Sequence, residues 1–402
     1  MGRDRPPVAP AAAAVEPGLV TGPFLALAGA GLVFFIGGGI VLPVVAPFAI
    51  GPLGSDPAGA GVAFGAFAGA ALLVRPVVGW GADRFGRRPF LIGGALVTVA
   101  ALALHLAVDS LAMFVLARGV LGVGEAFFFV AVLAAGADIA PPSRRGEALN
   151  LLSLSLYLGL GIGPLIGETM RHAGGFDAVW LASLALTATA AALCLLVPET
   201  SPAVLAPRAG PRQRMRLIHP AGIFPGILIL AGTWGMAGFF AYLPLHAAAV
   251  GMDGAGIPFA IYALLVCALR LVFAKLPDQL GPARVSGAAL AIGTVGLTVL
   301  GLVASPIGLI LGTALFATGV AFLVPGLLTL AVSRVDETER GTVVGTASAF
   351  LDLSFGLAPA VLGLVAASFG FGGAFLVGAL ASALGFALLV ARRAAILTPR
   401  AA

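Results

Sequence analysis

Long apolar runs separated by short polar breaks make up most of this 402-residue chain. Twelve can be counted, at 23–49, 58–79, 89–108, 111–137, 148–168, 178–197, 221–247, 256–274, 285–304, 307–332, 342–368 and 374–391. A helix that crosses the hydrocarbon of a bilayer needs roughly 20 mainly apolar residues. The pattern therefore predicts an all-α integral membrane protein with twelve transmembrane helices, numbered here as spans 1 to 12. Composition agrees. The chain is 60% hydrophobic and 10% charged, whereas soluble domains carry about 25% charged residues. No soluble fold of this length could hide so much apolar surface, so a bilayer must be the solvent.

The polar segments set the organisation. The longest, 198–220, reads "PETSPAVLAPRAGPRQRMRLIHP" and divides six spans from six. The expected units are a disordered cytosolic tail (1–22), an N-terminal six-helix bundle (23–197), a cytosolic linker (198–220), a C-terminal six-helix bundle (221–391) and a short cytosolic tail (392–402). The first tail, "MGRDRPPVAPAAAAVEPG", is rich in Pro and Ala and lacks the apolar core of a secretory signal. With both termini cytosolic, 18 of the 22 basic residues fall on cytosolic segments. That asymmetry is the positive-inside rule. It fixes the orientation and accounts for the net charge of +5 without a nucleic-acid partner. Cys194 and Cys267 lie in apolar runs and read as buried small hydrophobes.

The halves repeat one another at an offset of 195 residues: Arg75/Arg270, Asp83/Asp278, Gly86/Gly281, Arg145/Arg340, Pro164/Pro359, Gly175/Gly370 and Phe176/Phe371. Gly matches are cheap in this composition, but Arg, Asp and Pro are scarce within it. Two parallel six-helix repeats suggest alternating access, in which one half rocks against the other around a site near the midplane. Gly61, Gly65 and Gly69, four residues apart, suit close helix packing.

The most specific motif is "GWGADRFGRRP" at 79–89, between spans 2 and 3. Gly79, Asp83, Arg84, Gly86, Arg87 and Arg88 fit G-x-x-x-D-R-x-G-R-R, and here the chain resembles the major facilitator superfamily. The resemblance implies that Asp83 meets the start of span 11 near Arg340 and locks the cytosolic side shut. The second-half copy is degraded: Asp278 and Gly281 remain, but Pro282 and Ala283 replace the arginine pair. Span 4 reads "RGVLGVGEAFFF" at 118–129, and Arg118, Gly122 and Gly124 match the family's R-x-x-x-G-x-G. In span 5, Gly159, Gly163, Pro164 and Gly167 resemble the G-x-x-x-G-P-x-x-G-G of twelve-helix drug/proton antiporters, with Glu168 in place of the last Gly, and Pro164 is expected to kink the helix. That one-sided motif implies export.

Ionisable residues within spans are functional candidates by default. Seven residues separate Arg118 from Glu125, so they share a helix face at roughly 10 Å along the axis, too far for a direct ion pair. Glu125 is the first candidate for proton coupling and Arg118 its supporting cation. Asp352 lies roughly 15 Å into span 11 at helical rise. It could carry a second proton, bind a cationic solute or pair with Arg270. Arg75 and Arg270 sit within two turns of the cytosolic face and read as snorkelling side chains.

Candidate cavity aromatics are Phe35, Phe128, Tyr157, Trp234, Tyr242 and Tyr262. Aromatic surface with one or two acids suits a hydrophobic or amphipathic organic solute, which can be cationic. Sugars would need many more polar side chains. No phosphate-cradling loop, hydrolase motif or Cys/His metal spacing occurs, so no metal, cofactor or enzymatic activity is expected, and the proton gradient is the energy source. The expected partners are the bilayer, protons and a small-molecule substrate, for a monomer in the cell membrane. An importer of the same fold is the alternative. A lipid or lysolipid translocating protein is another, favoured by an apolar opening between spans 5 and 8.

Overall fold

Our computed structural model describes residues 19–141, 144–205, 218–273, 276–333, 335 and 339–392. The described residues form helices and connecting turns, with no strand. Span 1 is Gly22–Ile50, with a 3-10 turn at Leu42–Val44. Spans 2, 3 and 4 are Pro57–Phe85, Arg87–His105 and Leu111–Ile139. Spans 7 to 10 are Pro220–Ala249, Gly256–Val272, Pro282–Leu302 and Pro306–Val332. The other four arise from two very long helices. Arg145–Cys194 breaks at Gly174 and Gly175 into spans 5 and 6, and Arg340–Ala391 breaks at Gly370 into spans 11 and 12. Gly175 and Gly370 have φ of 73° and 71°, a left-handed conformation that glycine adopts without steric cost. They occupy equivalent repeat positions.

Local signals account for several helix starts. Thr21, Asp56, Ser110 and Ser305 accept hydrogen bonds from backbone N–H groups three residues on. Such caps are worth about 1 kcal/mol each. Gly86 and Gly281, another repeat pair, begin spans 3 and 9 with φ of 107° and 86°. The duplication thus reappears in backbone conformation.

The basic residues Arg84, Arg87, Arg88, Arg144, Arg145, Arg284 and Arg392 mark one face of the bundle. The opposite face carries the breaks at Gly175 and Gly370. The largest apolar core, including Ile40, Phe48, Phe64, Phe240, Tyr242, Leu362 and Phe375, joins both halves toward that opposite face. Toward the basic face the core divides. One cluster holds Phe24, Phe34, Phe128 and Cys194 of the first half, and another holds Leu228, Leu290, Leu327 and Leu389 of the second.

Spans 2 and 11 show how the halves meet. A side chain at Gly61 would strike the Pro359 carbonyl, and one at Gly65 would strike the Gly356 carbonyl. Farther along, Gly79 and Gly345 face open space. The two helices touch backbone to backbone near the opposite face and diverge toward the basic one. The conformation is closed at the opposite face.

Candidate functional site

At mid-depth the halves are joined through Arg75 of span 2. Its guanidinium lies 2.5 Å from the Asp352 carboxylate on span 11 and 3.6 Å from Glu125 on span 4. One arginine therefore serves two acids, one in each half. All three side chains are largely buried, and the Arg75 guanidinium also stands 5.3 Å from the Phe129 ring centre. The expectation that Arg75 merely snorkels is corrected, as is the pairing of Asp352 with Arg270. Neither the Glu125 Oε2 nor the Arg75 Nε has a hydrogen-bond partner in this arrangement. The Glu125 contact is a loose ion pair beside a tight one.

Repeat symmetry places a second bridge opposite the first. Arg270 of span 8 is the counterpart of Arg75, and Tyr157 of span 5 is the counterpart of Asp352. The Arg270 guanidinium sits 3.8 Å from the Tyr157 ring centre and donates from Nε to the Ala321 carbonyl at 2.9 Å. Both bridges cross between the halves. One holds a titratable carboxylate and the other a neutral ring.

Arg118 is buried but has no ion pair among the described residues. Its Nε points to the Ala63 carbonyl at 3.4 Å, and its guanidinium lies 5.1 Å from the Phe67 ring centre. It lines a cavity of about 110 Å³ in the first half together with Glu125, Phe34, Phe35, Phe67, Thr98, Leu121 and Ser183. Arg118 and Glu125 thus share a cavity without touching, as their spacing requires. Of the candidate aromatics, Phe35 lines this cavity. Phe128 stacks on Phe34 at 3.8 Å in the core. Trp234 packs half-buried against the central core, and Tyr262 is enclosed by Phe239, Phe240 and Phe316. The Tyr242 hydroxyl lies within hydrogen-bond range of the Pro57 and Pro359 carbonyls, 3.0 and 2.5 Å away. It is part of the closure rather than of a binding surface.

The glycines of the span 5 motif form a packing face. A side chain at Gly159 would strike the Phe35 backbone, one at Gly163 the Gly39 backbone, and one at Gly167 the Ile40 carbonyl. The helix continues through Pro164 without a non-helical residue there.

On the basic face, Asp83 pairs with Arg87 within its own half. Arg87 also reaches Asp138 at 3.2 Å, and Arg88 donates to the Leu195 carbonyl at 2.9 Å. Arg84 stacks near Trp80 and Phe85, and a side chain at Gly79 would meet nothing. The side chains of Asp278 and Arg340 lie outside the described residues, as do residues 1–18, 206–217 and 393–402. The organiser here is Glu199, hidden in the linker's "PETSP". Its carboxylate accepts from the backbone N–H groups of Arg87, Arg88, Thr200 and Ser201. Burial pushes the carboxyl up, but the four N–H groups outweigh it and hold it below the usual carboxylate range. Glu199 caps the start of span 3 from 112 residues away. Local sequence carries no signal of that pairing.

The model of the Major Facilitator Superfamily matches residues 27–350 and 250–401. The chain belongs to that superfamily. It is 28% identical over 340 residues to an uncharacterised MFS-type transporter of Salmonella typhimurium, covering 82% of this chain and 86% of the relative. A similar uncharacterised transporter of Burkholderia mallei is 28% identical over 358 residues, covering 87% of each. Among solved structures, a nucleoside transporter superposes with a TM-score of 0.71 at 14% identity, covering 92% of this chain and 99% of its own. A POT family transporter superposes with a TM-score of 0.78 at 12% identity, covering 93% and 96%. At such identities the likeness is one of fold. This superfamily member is a multi-pass membrane transporter, not an enzyme.

Proposed function

We propose that this superfamily member is a proton-coupled secondary transporter that exports a hydrophobic or amphipathic organic solute by alternating access. The observation that carries the reading is Arg75 held between Glu125 and Asp352 across the two halves. A charge-assisted contact between moving bodies works as a conformational lock, and protons are the simplest key to it. With both acids ionised, Arg75 ties span 2 to span 11. A proton that reaches Asp352 by way of Glu125, the acid lining the first-half cavity, removes that tie, and Glu125, ionised again, keeps Arg75 charge-balanced within the first half. A solute between the halves separates Arg75 from Asp352 and competes with the locked state. Solute and lock are then mutually exclusive, as exchange requires.

By the positive-inside rule the basic face is cytosolic, so in this reading both termini are cytosolic and this conformation faces inward; the membrane it fits is the cell membrane. The Asp83 loop acts as the cytosolic latch, and its aspartate pairs with Arg87 of the same loop. The span 5 glycine–proline motif supports export. The translocation of lipids finds no support at the seam between spans 5 and 8. That seam is filled by Arg270 on Tyr157, by Ala263 against Gly161 and by Glu168 on Ala255.

The test is direction. In everted vesicles an interior-acid gradient should drive ethidium, a lipophilic cation, into the lumen, and a protonophore should abolish the uptake. Accumulation in right-side-out vesicles driven by an inward proton gradient would overturn the export reading.

A further inference from the structure

Glu168, the residue that departs from the span 5 glycine motif, sits at the face where the halves are closed. Its carboxylate reaches across from the first half and accepts the Ala255 backbone N–H at 2.9 Å. Ala255 precedes span 8, whose first turn carries free N–H groups and a partial positive charge. Two glycines make room. Gly254 has φ of 97°, and a side chain there would strike Oε1; one at Gly256 would lie 3.2 Å from Oε2. Glu168 is only 8% exposed, and its Oε2 has no hydrogen-bond partner. The charged or titratable groups facing it are Arg171, 3.8 Å from Oε1, and His172 on its own helix, with Asp253 on the facing loop.

The repeat counterpart of Glu168 is Gly363, which packs on the Pro57 carbonyl and the Tyr242 hydroxyl. The closed face thus has two symmetry-related seams. Span 11 meets span 2 through small residues and a tyrosine, and span 5 meets span 8 through a carboxylate. In the second seam the carboxylate makes the contact itself, so that seam can respond to protons.

We infer that Glu168 is an external proton site of the transport cycle: a carboxylate latch that holds the outer face shut and lets go when a proton from outside neutralises it. The assignment of this face as external rests on the transport reading above. Ionised, the carboxylate makes a charge-assisted bond to the N-terminal end of span 8. Protonated, it keeps at most a neutral bond, and the outer seam loses its electrostatic tie. External protons then open the outer face before they reach the mid-depth acids, so outward exposure follows the gradient that drives exchange.

The test uses the full chain in lipid nanodiscs, with Cys194 and Cys267 replaced and spin labels at Ala107→Cys and Ile307→Cys, exposed positions of the two halves at this face. A Glu125→Gln/Asp352→Asn background silences the mid-depth acids. In that background the open fraction should rise as pH falls from 7.5 to 4.5. Glu168→Gln keeps an acceptor for Ala255 but no charge. It should raise the open fraction at pH 7.5 at least tenfold and remove its pH dependence, whereas His172→Gln should leave both unchanged. Gly254→Ala, which crowds the carboxylate off its seat, should act like Glu168→Gln if the latter folds poorly. An open fraction in Glu168→Gln within twofold of its parent, with the same pH dependence, would overturn the latch. A working latch without solute-driven proton movement in the native chain would instead overturn the coupling reading and leave the latch standing.

Discussion

Replacing Asp352 with Asn tests the bridge between the halves by removing one charge and few atoms. The Arg75–Asp352 contact is 2.5 Å long, and the side chains are 26% and 13% exposed. Charges centred about 4 Å apart attract by about 4 kcal/mol at an effective dielectric of about 20. Desolvation offsets much of that, and measured hydrogen bonds to charged groups contribute about 1.5–3 kcal/mol. Arg75 keeps Glu125 as a counter-ion in the variant, so the penalty of an orphaned buried charge does not arise. The closed-outside state should therefore lose about 2 kcal/mol relative to the open one, or about 30-fold in their ratio. The Ala107/Ile307 spin-label pair in otherwise native chain reads that ratio directly at pH 7.5. A ratio within twofold of the native value would refute the bridge as a conformational lock.

The symmetry-related bridge should behave differently. Tyr157→Leu removes the ring beneath Arg270, worth about 1 kcal/mol as a cation–π contact. It should shift the same ratio about fivefold by an amount that does not change with pH, since no proton is involved. Gly61→Val places a side chain where the Pro359 carbonyl stands, so the outer closure should fail and labelling of the outer cleft by an impermeant maleimide should increase. Glu199→Ala removes the cap of span 3, and thermal unfolding should report a loss of about 1 kcal/mol. Because the Glu199 carboxyl sits low in the folded chain, its contribution is present above its unfolded value of about 4.3 and disappears as pH falls through the folded value. Native and Glu199→Ala stabilities should therefore converge in acid.

The spans were legible because a bilayer imposes length and apolarity residue by residue, and the duplication was legible because scarce residues recur at one offset. Gly175 and Gly370 show the strength of that signal, since both adopt the same left-handed break. The site was only partly legible. Glu125 and Asp352 stood out as lone acids in apolar runs. Arg75 did not, because a cation near the basic face has a cheap explanation in snorkelling, and nothing local reveals a carboxylate 277 residues away. The repeat held the missing hint. Arg75 and Arg270 occupy matched positions, and matched cations inside spans call for matched partners across the interface. Glu199 and Glu168 were obscured for the same reason: each acts on backbone N–H groups of another helix, which no side-chain pattern records. The aromatics misled in the other direction, since ring content alone does not separate core, such as Phe128, from cavity wall, such as Phe35.

The most direct test of the account is proton movement itself. In liposomes filled with a pH-sensitive dye and carrying the native chain, adding ethidium without an imposed gradient should move protons across the membrane opposite to the solute. Glu125→Gln should abolish that signal while retaining ethidium exchange between the two sides. Native-sized proton movement in Glu125→Gln, with unchanged pH dependence, would contradict the claim that Glu125 and the shared Arg75 couple the two flows.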